Sequence, residues 1–134
     1  MEKLCLQSER FQTTIQEYLG ELKEERNYFD VTLATDDGHM IQGHKIILSA
    51  VSEFLKNILK KAEHPSTLLY LKGIQRLELG NIVDFLYNGE IYLPQQDLAA
   101  FLETAQDLQI KGIPKKKMKQ EMFNIIQKKN TINI

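Results

Sequence analysis

Phe29, Val31 and Leu33 alternate with Asp30, Thr32 and Ala34, the period-two pattern of a strand with one buried face. Asp36-Asp37-Gly38 follows as a tight turn, because glycine accepts positive φ and aspartate bonds its own backbone. Met40 and Ile41 carry the returning strand, and after Gly43 the run His44 to Ala50 is apolar and helical. Ser52 is placed to cap a further helix whose apolar positions, Phe54, Leu55, Ile58 and Leu59, fall three to four residues apart.

The same pattern organises the flanks. Leu4 and Leu6 bracket Cys5 in a short segment, residues 3–7, that reads as extended, and Ser8 is a reasonable helix cap. Phe11, Ile15, Tyr18, Leu19 and Leu22 then form one apolar stripe at i, i+4, i+7, i+8 and i+11. Periodicity alone favours packing of that stripe on its own domain. Beyond residue 59, Lys60 to Ser66 is a polar loop and Leu68 to Leu71 a short strand closing at Gly73. Leu79, Ile82, Val83, Phe85 and Leu86 repeat at helical spacing up to the stop signal Asn88-Gly89. Ile91 to Pro94 is a brief extended piece, and Leu98, Phe101, Leu102, Ala105 and Leu108 mark another amphipathic helix. Five or six helices against a small sheet make an α+β domain.

A chain of 134 residues is enough for one core and not two. Charge changes the picture more than composition does. Residues 1–113 hold eleven Lys or Arg against seventeen Asp or Glu, a net of −6. Residues 114–134 hold six Lys against Glu121 alone, a net of +5. The organisation expected is therefore a domain over 1–113 and a basic linker or short helix over 114–134. An acidic body argues against direct nucleic-acid contact by the folded domain. The cluster Lys115-Lys116-Lys117 with Lys119 is compatible with a nuclear localisation signal or with a solvated linker. Cys5 is the single cysteine, so a reducing compartment fits, and no apolar run approaches a membrane span. The expectation is a soluble intracellular protein without a membrane partner.

Catalytic chemistry needs converging groups, and the inventory is thin. His39, His44 and His64 lack partners at metal-ligand spacing, Cys5 has no histidine nearby in sequence, and no glycine-rich phosphate loop is present. No enzyme activity, catalytic residue, metal or cofactor is expected, and His44, which opens the apolar helical run, reads as structural.

Four ordered blocks carry a family resemblance. They are Phe29 to Leu33 with Gly43 to Ala50 and Ser52-Glu53-Phe54; Leu69 to Ile74; Ile82 to Ile91; and Ala105 to Ile113. Together they resemble BTB/POZ domains over roughly residues 4–113. Leu4-Cys5-Leu6 and the ending Ile110-Lys111-Gly112-Ile113 resemble the Tramtrack group and the zinc-finger-associated members. That group's Arg-Trp-Asn signature is missing, since Gln7-Ser8-Glu9 stands there, and Gly43 replaces a common alanine.

The resemblance implies a BTB/POZ fold with an N-terminal dimerisation helix. Leu4, Leu6, Phe11, Ile15, Tyr18, Leu19 and Leu22 become a dimer interface, with residues 3–6 forming a strand that swaps onto the other subunit. Asp30 and Lys45 become a charged pocket beside that interface, since an aspartate in an apolar strand is costly to bury unpaired. The implied partners are a second copy, other BTB proteins and transcriptional cofactor proteins. The implied role is a homodimerising adaptor of a nuclear transcription or chromatin regulator, with a cytoplasmic pool also compatible. The alternative is a substrate adaptor for a cullin ubiquitin ligase. Such adaptors carry a hydrophobic-x-Glu motif where Lys61-Ala62-Glu63 stands here, with lysine in the apolar place.

Overall fold

The computed structural model describes residues 1–113. The basic segment 114–134, with its expected short helix and localisation signal, lies outside the described residues. Among the described residues five α-helices and three strands run in the order α1 (Phe11–Glu25), β1 (Val31–Thr35), β2 (Met40–Gly43), α2 (Lys45–Val51), α3 (Glu53–Leu59), β3 (Thr67–Leu71), α4 (Arg76–Asn88) and α5 (Leu98–Asp107). A single 3-10 turn, Gln95–Asp97, leads into α5. The class is α+β, as the periodicities indicate.

The sheet is mixed, with order β2-β1-β3. β1 pairs antiparallel with β2, Leu33 opposite Ile41, and parallel with β3, Leu33 opposite Leu69. Val31, Leu33 and Thr35 are buried, so the alternation seen in the sequence becomes the face turned to the helices. Asp37 fixes the β1–β2 turn. Its carboxylate accepts from the Thr35 hydroxyl at 2.5 Å and from the Arg76 amide at 3.1 Å, and the Thr35 bond chiefly holds its pKa below the ordinary value. Gly38 supplies the left-handed residue at φ 81°.

α2 and α3 are separated by one extended residue, Ser52, at φ −123° and ψ 115°. Its hydroxyl accepts from the Leu55 amide at 3.0 Å, as the sequence predicts, and donates to the Leu108 carbonyl at 2.6 Å. Glu53 N–H to Gln109 O and Lys111 N–H to Val51 O extend this seam, so the chain beyond α5 is stitched to the α2–α3 break. α4 buries Leu79, Ile82, Val83, Leu86 and Tyr87 and ends at Gly89 in the left-handed region, φ 78°. Phe101, Leu102 and Ala105 of α5 complete the core, Phe101 meeting Phe85 edge-on.

One local expectation is corrected. Ser8 does not cap α1: the capping position is Arg10, without a side-chain bond, and Ser8 offers only its carbonyl to the Phe11 amide at 3.4 Å. Residues 3–7 have no ladder partner within the protomer. Ile91 to Pro94 is likewise without ladder partners.

Candidate dimer interface and the α2 junction

The apolar stripe of α1 is divided along the length of the helix. Leu19 and Leu22 are half-buried against the core. Around them Lys23 pairs with Asp84, Gln16 Nε2 donates to the Asn88 carbonyl at 3.4 Å, and Gly20 lies close against the Asn88 side chain. The C-terminal turns of α1 are thus docked on α4. Phe11, Ile15 and Tyr18, on the same stripe, are 64, 48 and 47% exposed. Leu4 and Leu6 are 91 and 93% exposed in the irregular N-terminal segment, beside the exposed Cys5. Five of the seven residues expected at an interface are therefore uncovered in the protomer, and two are used by its own fold.

Asp30 and Lys45 meet, but not as paired charges. Asp30 Oδ1 accepts from the backbone amide of Lys45 at 2.7 Å. It caps α2 from outside, because His44 at the capping position makes no side-chain cap bond. A carboxylate there also complements the positive end of the helix dipole. The Lys45 ammonium turns the other way, donating to the carbonyls of His64 and, at 3.5 Å, Ala62. The two side chains serve as a helix cap and a loop tether.

Next to this cap stands a buried group that sequence reasoning identified only in part. His44 is 4% exposed. Its Nε2 lies 2.6 Å from the Asn27 carbonyl, which can only accept, so Nε2 carries the proton. Nδ1 then accepts from the Tyr87 hydroxyl at 2.6 Å, and that hydroxyl in turn accepts from the His44 amide at 3.0 Å. Phe29 and Tyr87 pack on the imidazole at centroid distances of 4.9 and 5.6 Å. Burial pushes the Tyr87 hydroxyl up to about 12, with the Asp30 charge adding to the rise and the His44 N–H opposing it. Every polar atom of this group is satisfied, which makes it a structural junction rather than an acid–base pair. Tyr87 and Asn27 carried no sequence signal beyond the helical position of Tyr87 beside the α4 stripe.

The sequence model of the BTB/POZ domain matches residues 19–124. The chain belongs to the BTB/POZ family. It is 34% identical over 112 residues to the sex determination protein fruitless of Drosophila melanogaster, covering 84% of this chain and 12% of that protein. Identity is 36% over 103 residues to longitudinals lacking protein-like of the same organism, covering 77% of this chain and 80% of that protein. The Broad-complex core protein isoforms of Drosophila melanogaster match over 98% of the chain at 28% identity, and the chain spans 18% of their length. This BTB/POZ chain thus covers a small part of the long relatives. The solved BTB domain of zebrafish PATZ1 superposes with a TM-score of 0.72 over 95% of this chain and 100% of that one, at 16% identity. That of human gigaxonin gives 0.69 over 81% of this chain and 88% of that one, at 21% identity, and both establish shared fold. A BTB/POZ domain is a protein-interaction fold. Among the described residues no group of three potential ligands is placed to hold a metal, and no helix is long and apolar enough to cross a membrane.

Proposed function

We propose that this BTB/POZ domain, residues 1–113, homodimerises through the first half of α1 and serves as the assembly and cofactor-recruiting part of a nuclear transcription or chromatin regulator. The observation that carries the proposal is the division of the α1 stripe. Phe11, Ile15 and Tyr18 continue the apolar line that Leu19 and Leu22 bury, yet the fold leaves them open, with Leu4 and Leu6 beside them. A second copy brings the same surface, so a twofold contact covers both at once. The N-terminal segment is free to add as a strand to the partner, and the basic residues 114–134 act as a linker. Dimerisation raises the effective concentration of whatever each linker carries. Other BTB proteins with a similar helix face are heterodimer partners. The Asp30–Lys45 junction belongs to the surface that cofactor proteins read.

The test is absolute molar mass by light scattering across a dilution series, on the wild type and on Ile15→Asp. A mass near twice the protomer that drops to one in the variant supports the proposal. A monomer at every concentration overturns it.

A further inference from the structure

α1 is held on the protomer mainly along one seam with α4. It buries no residue fully, Leu19 and Leu22 only in half, and its capping position makes no side-chain bond. Fifteen residues make a marginal helix alone, so the order and the aim of α1 come from that seam. Gln16 donates to the Asn88 carbonyl, Gly20 lies against the Asn88 side chain, and Lys23 pairs with Asp84. The two helices therefore run antiparallel, with Gln16, Gly20 and Lys23, at i, i+4 and i+7, facing Asn88 and Asp84, one turn apart. Glycine is costly inside a helix, and Gly20 has a packing reason: its β-carbon would lie 3.4 Å from Asn88 Oδ1.

That register leaves the start of α1 without α4 beneath it. α4 stops at Asn88, beside Gln16, so roughly a turn and a half, Phe11 to Ile15, runs past its end. At the far end α1 is fixed. Arg26 donates to Gln42 Oε1 at 3.1 Å, and the Asn27 carbonyl accepts from His44 Nε2 at 2.6 Å. α1 is thus a lever anchored at Arg26 and Asn27, with the exposed Phe11, Ile15 and Tyr18 on its free half. From Lys23 to Phe11 the axis runs about 18 Å, so a tilt of about 10° moves the tip by about 3 Å. Close-packed side chains do not absorb a displacement of that size.

Lys23 and Asp84 are the charged part of the seam. Among the described residues neither forms an ion pair with any other group. Three and four residues from Lys23 stand Leu19, Gly20, Arg26 and Asn27, and from Asp84 stand Gly80, Asn81, Tyr87 and Asn88. Neither charge has an opposite one at helical spacing, so the pair ties α1 to α4 and supports neither helix by itself. We propose that Lys23 and Asp84, with Gly20 as the seat, are positioning residues for self-association. They set the pitch of α1 on α4 and so aim Phe11, Ile15 and Tyr18 at a second copy, while lying off that stripe themselves. The proposal rests on the dimer reading above and adds what orients its helix. Each copy carries the same seam, so one substitution enters the dimer twice.

The experiment is a charge-swap cycle on the full chain: Lys23→Glu, Asp84→Lys and the double variant. Sedimentation equilibrium over a dilution series gives the association constant, and urea unfolding at high dilution gives protomer stability. Each single change sets like charges across the seam and should weaken self-association about tenfold, and the swap should restore it to within about threefold of wild type. Protomer unfolding should vary far less across the set. The cycle isolates the pair, whatever else either charge meets. Gly20→Leu is a second route that leaves the charges alone. Leucine is the better helix former, so far-UV helix content should hold while the larger side chain lifts α1 from Asn88 and weakens association. A wild type that stays monomeric overturns this proposal and the dimer reading together. With a wild-type dimer, the positioning roles alone are overturned by a swap that fails to restore association. Unchanged association in Gly20→Leu, or losses that merely track protomer stability, overturn them too.

Discussion

Asp30 holds Lys45 by its backbone amide, at 2.7 Å, and leaves the lysine's ammonium to two loop carbonyls. The carboxylate is thus a helix cap delivered from β1's approach to α2, fifteen residues away in sequence. Its weight lies in an acceptor atom, and the negative charge adds less.

That distinction sets the first prediction. Asp30→Ala removes the acceptor and is expected to cost about 1–2 kcal/mol, whereas Asp30→Asn keeps an oxygen in place and costs well under half of that. Lys45→Met is expected to cost no more than about 0.5 kcal/mol, since its carbonyl bonds lie toward solvent. Urea unfolding at one fixed protein concentration measures all three. Equal losses for Asp30→Asn and Asp30→Ala would return the pair to an ion-pair description.

The second prediction concerns pH. Burial raises the Tyr87 hydroxyl from 10.0 to about 12, so the fold favours its neutral form. The stabilisation is fully present below pH 10, the unfolded value, and is lost as pH rises from there toward 12, because the unfolded chain ionises first. Tyr70, held above its ordinary value by its bond to Asp36, titrates late as well, so the comparison belongs in a Tyr70→Phe background. There, melting temperature should fall between pH 9.5 and 11.5 more steeply with Tyr87 than with Phe at that position. At neutral pH, Tyr87→Phe leaves the His44 amide and Nδ1 without their partner and is expected to cost about 1–3 kcal/mol.

These two groups mark the limit of what the sequence reveals. Periodicity reports which angular face of an element is apolar, and on that basis β1, α4 and α5 were legible with most of their buried residues, Thr35 and Tyr87 among the exceptions. Ser52 was legible as well, because a cap is a local event within three residues. The partners of His44 were not, since Tyr87 is forty-three residues away and a hydroxyl on a helical tyrosine carries no periodic signature. Ser8 misled for the opposite reason: a capping residue type is common, and α1 starts three residues later with no side-chain cap. The α1 stripe illustrates a further gap. Helical spacing fixes the angle of Phe11 and of Leu22 about the axis, not which of them lies over the body.

Ser52 provides a third prediction. It is fully buried, and its single hydroxyl serves the Leu55 amide of α3 and the Leu108 carbonyl after α5. Ser52→Ala loses both bonds, leaves two backbone groups unsatisfied, and is expected to cost about 2–4 kcal/mol in urea unfolding. Hydrogen exchange should locate the loss, with Leu55, Ile110 and Lys111 exchanging faster while β1 amides stay protected. Uniform acceleration across the sheet would mean that the seam is not a separate unit.

The last prediction uses the divided helix to separate folding from assembly. Leu22 packs on the protomer's own core beside the Lys23–Asp84 pair, and Ile15, two turns earlier on the same stripe, does not. Leu22→Ala should therefore cost about 2 kcal/mol or more of protomer stability, visible at every protein concentration. Ile15→Ser removes no intramolecular contact of weight. It should leave unfolding unchanged in the dilute limit and abolish only the part of the melting temperature that rises with concentration. If the two variants lose stability equally at high dilution, the first half of α1 is packed on its own domain in solution. If neither melting temperature depends on concentration, the exposed stripe makes no contact between copies, and Phe11, Ile15 and Tyr18 need another explanation.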